Sequence, residues 1–441
     1  MDYSQVCKYL DDTLVFGIKP GLERIKKLLY ILEDPQENID FIHIVGTNGK
    51  TSTSKITAAI LNCASFTAGY YISPHINSYR ERISIKGADI SEDDFTAAFN
   101  DIYPSVLEIN KMDINGDMTQ FEILTAMMFT AAYKSGLDVM VMEAGMGGRW
   151  DATNAADAKV SGLTGVSLEH TEILGGSIRE IALEKVEVIK KNTMAATAST
   201  DDEVLEIIRR KADKEDSILY EYGKDFYIEK IIEENIGIIN ADYKGIYNTY
   251  KSIKALLAGG YQKYNISLAI ALSELFSFSK GVLPDNLTIN EALKNTNITG
   301  RFDIKRKEPY FIADASHNPE GIKSLVKTIK SYFNSKRKII IFSVLKDKDF
   351  KEMASDVLSI ADIIILSSSG SERSLEVDKL GECINEILKT TDKKSTKEIQ
   401  IIKIAAISDA IKYSLKVASK DDIICLTGSI TNLEFVKSEF F

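Results

Sequence analysis

The sequence predicts an α/β protein of two unequal domains, each built on a mainly parallel sheet. Three features predict it. From about residue 40 to 195, apolar strand-like runs alternate with amphipathic helical stretches, the pattern of βα units. That pattern breaks near Thr296-Asn-Ile-Thr-Gly-Arg301, and a second alternating set follows. Within the first set, His43-Ile-Val-Gly-Thr-Asn-Gly-Lys-Thr-Ser-Thr53 passes from an apolar strand through a glycine turn straight into a helix. At 441 residues, 44% of them apolar, the chain is long enough to bury a core in each of two or three domains.

The start, Met1-Asp-Tyr-Ser-Gln-Val-Cys-Lys, lacks the basic and apolar regions of a signal peptide, and no apolar run approaches membrane-spanning length. A cytoplasmic protein without a membrane partner is expected. Residues 41 to 45 read as a buried strand, and Gly46 and Gly49 let the backbone turn. The stretch from Ser54 to Ala64 places Ile56, Ala59, Ile60 and Cys63 at helical spacing. Further strands are expected over 138 to 142 and 159 to 168. Ser177-Ile-Arg-Glu180 is a capping box, and the helix behind it is expected to run to about Lys191 with Ile178, Ile181, Ala182, Val186 and Ile189 on its apolar face. From about 217 to 257, alternation in Phe226-Tyr-Ile-Glu-Lys-Ile-Ile and around Gly245 to Tyr250 reads as a small antiparallel addition. Strands over 310 to 313, 338 to 344, 362 to 366, 399 to 404 and 422 to 426 complete a smaller, doubly wound, Rossmann-like domain. The expected division is 1 to 297 and 298 to 441.

A formal charge of -10 argues against a general nucleic-acid surface. The four cysteines (Cys7, Cys63, Cys383, Cys425) are scattered and never spaced C-x-x-C, so neither disulfides nor zinc are expected and all four read as core thiols.

The chemistry starts at the glycine turn. Amides at the helix start would face an anion, Lys50 supplies a charge for β and γ phosphates, and the Thr51 hydroxyl can ligate Mg2+. A nucleotide triphosphate bound by Thr47, Asn48, Gly49, Lys50, Thr51 and Ser52 is expected. The generic pattern places a glycine at position 44, where this chain has Ile44, so the loop is a shortened variant. Ligands of open parallel sheets gather at the carboxyl ends of strands. There Glu143 precedes the turn Ala-Gly-Met-Gly-Gly-Arg-Trp-Asp151, and Glu169-His170 closes the strand through Val166. With Thr51 these offer oxygen and imidazole ligands for a nucleotide's metal. Alternatively, Glu143 is a loop carboxylate in water and His170 a turn or capping residue. Lys185 falls on the apolar face of its helix, so it must be paired, deprotonated, chemically altered, or snorkel to the surface. His43 reads as a satisfied core histidine. His317 follows the strand at 310 to 313 and precedes a helix that Pro319 can begin, so Asp314 and His317 could face the first domain across a cleft.

Taken together, these segments resemble the folylpolyglutamate synthase and dihydrofolate synthase branch of the ATP-dependent Mur ligases. The resemblance runs in order through 17 to 25, 43 to 52, Ser-Pro-His at 73 to 75, Glu-Arg-Ile at 81 to 83 and Thr-Gln-Phe-Glu at 119 to 122. It continues through 143 to 154, Glu-His at 169 to 170, Ile-Ala-Leu-Glu-Lys at 181 to 185, Gly-Arg at 300 to 301 and Asp-Ala-Ser-His-Asn-Pro at 314 to 319. It implies a ligase that phosphorylates a folate or dihydropteroate carboxylate with ATP and lets L-glutamate attack the acyl phosphate. Lys50 and Thr51 would hold phosphates and Mg2+, with Ser73 and Glu143 completing a first metal site. Glu143, His170 and a carbamylated Lys185 would hold a second. Asn265, Arg301 and Asp314 would contact ATP, His317 and Ser429 the incoming glutamate, and Thr119, Phe121 and Asp151 the pterin. The resemblance also implies a monomer, with closure dependent on a hinge near 296 to 300. Thr51, Trp150, Val186-Glu187, Tyr261 and Ser316 depart from the branch's usual residues. A ligase of this architecture acting on another carboxylic acid, and a regulatory protein that only senses ATP, stay open as alternatives.

Overall fold

The computed structural model describes residues 1–17, 19–390 and 398–441; Ile18, in the 17-to-25 motif, lies outside them. The chain divides into two compact units. The first comprises Met1–Glu233, Asn240–Ala255 and Gln262–Thr296, and the second Glu234–Ile239, Leu256–Tyr261 and Asn297–Phe441.

The first unit is organised on strands β1 (Asp40–Val45), β2 (Ala68–Tyr71), β3 (Ile83–Ile85), β4 (Ala88–Asp89), β5 (Val139–Glu143), β6 (Val160–Leu163), β7 (Met194–Thr197) and β8 (Ile218–Glu221). Their order in the sheet is β4-β3-β2-β5-β1-β6-β7-β8. The pairs from β2 through β8 are parallel, and β3 and β4 add an antiparallel edge. Every residue of β5 and β6 is buried, which is why β5 is a near-continuous apolar run that lacks alternation, while β6 accommodates Ser161 by its hydrogen bond to Val188 O (3.0 Å). On one face Phe41, Tyr71, Met140 and Met142 pack with Phe95, Phe99, Met127 and Phe129 of the helices Glu92–Met112 and Gln120–Lys134.

Two elements are shorter than their apolar patterns suggest. The run over 159 to 168 leaves the sheet at Leu163 to brace the glycine turn. Thr164 Oγ1 donates to Asn48 O (2.7 Å), Thr47 N to Gly165 O (2.8 Å) and Ser167 N to Thr47 Oγ1 (3.1 Å). The helix behind the Ser177–Glu180 capping box forms with both halves of the box but covers only Ile178–Lys185, followed by a 3-10 turn, Val186–Val188. It stops short of 191 because Arg149 N–H takes the Glu184 carbonyl (3.0 Å), the acceptor that residue 188 would need to continue the α ladder.

Strands β9 (Tyr227–Asn235), β10 (Ile238–Lys244) and β11 (Thr249–Ala255) form a sheet in the order β11-β10-β9, and their short connections make it the antiparallel addition. Of the alternating residues from Gly245 to Tyr250, 245 to 248 form the bend between β10 and β11, held by Glu274 accepting from Ile246 N and Asn248 N (2.7 and 3.0 Å), and Thr249 and Tyr250 begin β11.

The second unit carries β12 (Asp303–Lys307), β13 (Tyr310–Ala313), β14 (Lys338–Phe342), β15 (Ile363–Ser368), β16 (Gln400–Ala406) and β17 (Ile423–Thr427), in the order β12-β13-β17-β14-β15-β16. All pairs are parallel except β12 with β13. The edge strand β12 escapes an apolar-run reading because its sequence, Asp-Ile-Lys-Arg-Lys, is mostly charged. Helix Pro319–Tyr332 begins at Pro319 behind an Asn318 cap. All four cysteines are free; Cys383 and Cys425 are buried and Cys7 is partly buried against the core of the first unit, whereas Cys63, partly exposed at the end of its helix, is not a core thiol. No helix among the described residues is long and apolar enough to cross a membrane.

Candidate active site

The carboxyl ends of β1, β2, β5 and β6 meet around the glycine turn. Gly46 and Gly49 adopt φ of 146° and 90°. A Cβ on Gly46 would collide with the Thr164 hydroxyl, and one on Gly49 with the Asn265 side-chain oxygen. This brings Asn265, from helix Gln262–Ser279, onto the turn; its amide also donates to Gln262 Oε1 (2.9 Å). Helix Lys50–Cys63 starts at Gly49 with no side-chain cap. Its first amide groups therefore remain available for an anionic ligand, the arrangement expected of a phosphate cradle. Thr47 and Asn48 are held from beneath by the 164-to-167 segment, and Ser52 is buried in the first helical turn.

Lys50 folds back over the turn, donating to Gly46 O (3.0 Å) and Thr47 O (3.1 Å). Lys185 Nζ reaches the same Gly46 carbonyl (2.9 Å), although the two lysines are far apart in sequence. Lys185 does not snorkel: it is only 3% exposed. Burial, and after it the Lys50 charge, push its amine down to about 7, against the pull of Glu169 and Asp151.

Thr51 Oγ1 donates to Glu143 Oε2 (2.8 Å), so Glu143 is buried and engaged, and the reading of it as a solvated loop carboxylate falls. Tyr71 of β2 pairs with Met142 of β5, so Ser73 and Glu143 leave adjacent parallel strands at the same sheet edge. His170 occupies a left-handed position (φ 51°) ahead of the short helix Thr171–Leu174, with Nε2 3.6 Å from Glu169 Oε1. Among the described residues no three His, Cys, Asp or Glu side chains converge on a metal position. A hydroxyl paired with one carboxylate beside a phosphate cradle nevertheless suits Mg2+, which is usually bound through one or two carboxylates plus substrate phosphates and water.

Asp151 lies at the end of the glycine-rich turn after β5. It is buried, which raises its pKa, yet it accepts from Met146 N (2.7 Å), Thr153 N (3.1 Å) and Thr153 Oγ1 (2.5 Å). Thr153 Oγ1 also contacts His43 Nε2 (2.8 Å). Because the threonine proton is given to Asp151, His43 must donate, which places its proton on Nε2 and leaves the buried Nδ1 without a partner. His43 is therefore a core residue, satisfied at only one nitrogen. Thr119 caps helix Gln120–Lys134 and donates to Glu122 Oε2 (2.9 Å); buried Arg24 Nε donates to both Glu122 oxygens, Oε1 (3.0 Å) and Oε2 (3.1 Å). The Phe121 ring lies 6.0 Å from that of Tyr71.

In the second unit, the predicted residues gather at the carboxyl ends of the adjacent strands β13 and β17. Asp314 accepts from Phe302 N (2.8 Å) and Ser316 N (2.9 Å), immediately beside Arg301 in sequence. His317 Nδ1 lies 3.0 Å from Ala315 O, Gly428 N donates to Ser316 O (3.1 Å), and Ser429 caps the turn Ile430–Phe435. Tyr261 is half-buried; burial of its hydroxyl, and after it the Asp314 charge, raise the hydroxyl pKa.

Sequence reasoning missed Thr164, Gly165, Thr153 and Arg24. Each acts through hydrogen bonds to residues distant in the chain, and no local spacing announces such bonds.

A phosphate-cradling loop on a parallel sheet, followed by a smaller α/β unit, defines a nucleotide-binding α/β protein of two domains. Residues 44–273 match the Mur ligase middle domain, and residues 300–430 the Mur ligase glutamate ligase domain. The chain is 30% identical over 429 residues to the dihydrofolate synthase/folylpolyglutamate synthase of Bacillus subtilis, covering 97% of this chain and 96% of that one. It is 32% identical over 377 residues to the protein so described from Mycobacterium tuberculosis, covering 82% and 77%. The structure of Mycobacterium tuberculosis folylpolyglutamate synthase complexed with ADP superposes with a TM-score of 0.91 at 29% identity, over 99% of this chain and 98% of that one. The chain belongs to the folylpolyglutamate synthase/dihydrofolate synthase family of Mur ligases, and it is a ligase enzyme.

Proposed function

We propose that this enzyme joins L-glutamate to the carboxylate of a folate or of dihydropteroate, using ATP and releasing ADP and phosphate. The observation that carries the reading is the uncapped helix start at Gly49, with Lys50 folded over the turn and Thr51 bonded to Glu143. A carboxylate oxygen forms a bond to the γ-phosphorus as the bond from phosphorus to ADP breaks. The glutamate ammonium loses one proton to solvent, its nitrogen attacks the acyl carbon, and the second proton leaves with the phosphate. Two anions must approach in the first step, so fixed positive charge lowers its barrier. Lys50 and Arg301 are the side chains assigned to the phosphates, with Thr47, Asn48, Gly49, Ser52, Asn265 and Asp314 binding the nucleotide.

Mg2+, when bound, would neutralise phosphate charge; Thr51, Ser73 and Glu143 would hold one ion, and Glu143, His170 and carbamylated Lys185 a second. An amine pushed down to about 7 supports that modification, because its neutral form is the nucleophile that takes up carbon dioxide. Thr119, Phe121 and Asp151 are assigned to the pterin, and His317 and Ser429 to glutamate. We further propose a cytoplasmic monomer with a domain boundary at 297/298. Purified enzyme assayed with glutamate against dihydropteroate and tetrahydrofolate tests the reading. ADP and phosphate released in step with amide formation are expected. AMP and pyrophosphate overturn the acyl-phosphate route, and turnover that ignores every pteroate favours a different carboxylic acid, with the half-exposed Trp150 at the acceptor side.

A further inference from the structure

The Glu-Arg-Ile motif at 81 to 83 has no role in the site described above. Arg82 closes the 3-10 turn Tyr79–Arg82 just ahead of β3, and its carbonyl accepts from Ile72 N (2.9 Å). Tyr71 pairs with Ile83 on one side and with Met142 on the other. Arg82, Ile72 and Glu143 therefore lie in a row across three strands, which puts the Arg82 and Glu143 backbones about 10 Å apart, two strand spacings.

The Arg82 side chain is 8% exposed, and its contacts are neutral. Nε donates to His75 Nδ1 (2.9 Å), an acceptor only when that nitrogen is unprotonated, and the guanidinium lies 5.5 Å from the Tyr79 ring centre. The acids around it are engaged elsewhere. Glu81 takes the amides of Ile76, Asn77 and Ser78 (2.9, 2.8 and 2.8 Å), Asp11 takes the Tyr79 hydroxyl (2.7 Å), and Glu143 takes the Thr51 hydroxyl (2.8 Å). Arg82 forms no ion pair among the described residues, and its two terminal amino groups donate to none of them. Burying a guanidinium without a counter-ion is costly, and burial pulls its pKa down against the pull of Tyr71, Tyr79, Glu143 and Glu81. Such a fork matches the two oxygens of a carboxylate. Its row in the sheet runs through Ile72, next to Ser73, to Glu143, and Tyr71 beside that row lies 6.0 Å from Phe121, so an acceptor with its ring against these aromatics and its carboxylate towards the phosphate cradle would bring that carboxylate to this row.

We propose that Arg82 grips the acceptor carboxylate that is to be phosphorylated, and afterwards the carbonyl oxygen of the acyl phosphate. The proposal rests on the folate ligase reading. In the transfer, one carboxylate oxygen bonds to phosphorus while ADP departs with the electron pair, and no proton moves. The other oxygen stays on Arg82, where negative charge develops when the amine attacks.

Calorimetric binding of dihydropteroate and of its methyl ester, with a non-hydrolysable ATP analogue present, tests this. Wild-type enzyme should prefer the acid by about thirty-fold, the scale of one charged hydrogen-bonded pair. Arg82→Gln should lose that preference by weakening acid binding alone, with ester and nucleotide affinities unchanged, and Arg82→Lys should fall between. An Arg82→Gln protein that still prefers the acid overturns the proposal. Should melting show that Arg82→Gln is unfolded, an unchanged acid-to-ester ratio in Arg82→Lys overturns it equally. Wild-type protein that binds neither compound instead sinks the folate reading, and the proposal with it, before any variant is made.

Discussion

Acid should loosen the first unit through His43, and the amount follows from its surroundings. The imidazole is fully buried on β1, directly ahead of the nucleotide loop, with Nε2–H given to Thr153 and Nδ1 facing no acceptor. A second proton would create a buried cation with an unpaired N–H. Burial, and secondarily Lys190, therefore push its pKa from 6.5 to about 3. The sign follows from proton binding. Below 6.5 the unfolded chain takes up a proton that the native state refuses, so this contribution is complete above 6.5 and is lost as pH falls from 6.5 towards 3. Between pH 7.5 and 5 the unfolded histidine gains nearly one proton over about 1.5 pH units, which costs about 2 kcal/mol at 1.36 kcal/mol per unit. His43→Gln keeps a donor in the Nε2 position but does not titrate. Urea unfolding followed through Trp150, the only tryptophan, reports on the first unit. Wild-type protein should lose about 2 kcal/mol more than His43→Gln between those two pH values, and other titrating groups cancel in the comparison. Equal losses in the two proteins would refute the reasoning.

Other outcomes follow from the cradle. Gly49→Ala forces a Cβ onto the Asn265 side chain at φ 90°, so nucleotide affinity in a titration with ADP should fall about tenfold or more, given a cost of about 1–2 kcal/mol for a left-handed alanine. Thr51→Val keeps the shape but removes the hydroxyl on Glu143; turnover at saturating ATP should need a much higher Mg2+ concentration, and an unchanged Mg2+ curve would contradict the assignment. Lys185→Ala should abolish turnover while leaving the fold intact. Wild-type enzyme equilibrated with 13C-bicarbonate should show a carbamate carbon signal that the variant lacks, and normal activity in the variant would remove Lys185 from the metal's surroundings.

What could be read from the chain beforehand divides along a physical line. Strands buried on both faces and helices with one apolar stripe write their periods into consecutive residues, so β1, β5 and the helix after Ser177 were legible, as was the isolation of Lys185 on an apolar stripe. Element ends were not, because they are decided by partners from elsewhere. The run through Val166 has the composition of a strand, yet Thr164 and Ser167 are drawn off to hold the nucleotide turn. The helix at 178 has the pattern to continue, yet the loop after β5 takes the carbonyl it needs. In both places regular structure gives way to support for the candidate site.

The two lysines at Gly46 carry that argument furthest. Local pattern showed that Lys185 lies on a buried face and that Lys50 belongs to a glycine loop, but not that both amines donate to one carbonyl. Burial disfavours the Lys185 ammonium, and the Lys50 charge held on the same carbonyl disfavours it further, which is why this amine is pushed down to about 7. The residue that reads as a defect in an apolar face is thereby the one made nucleophilic at neutral pH. The loop that holds it there ties the chemistry of Lys185 to the same turn that cradles the phosphates.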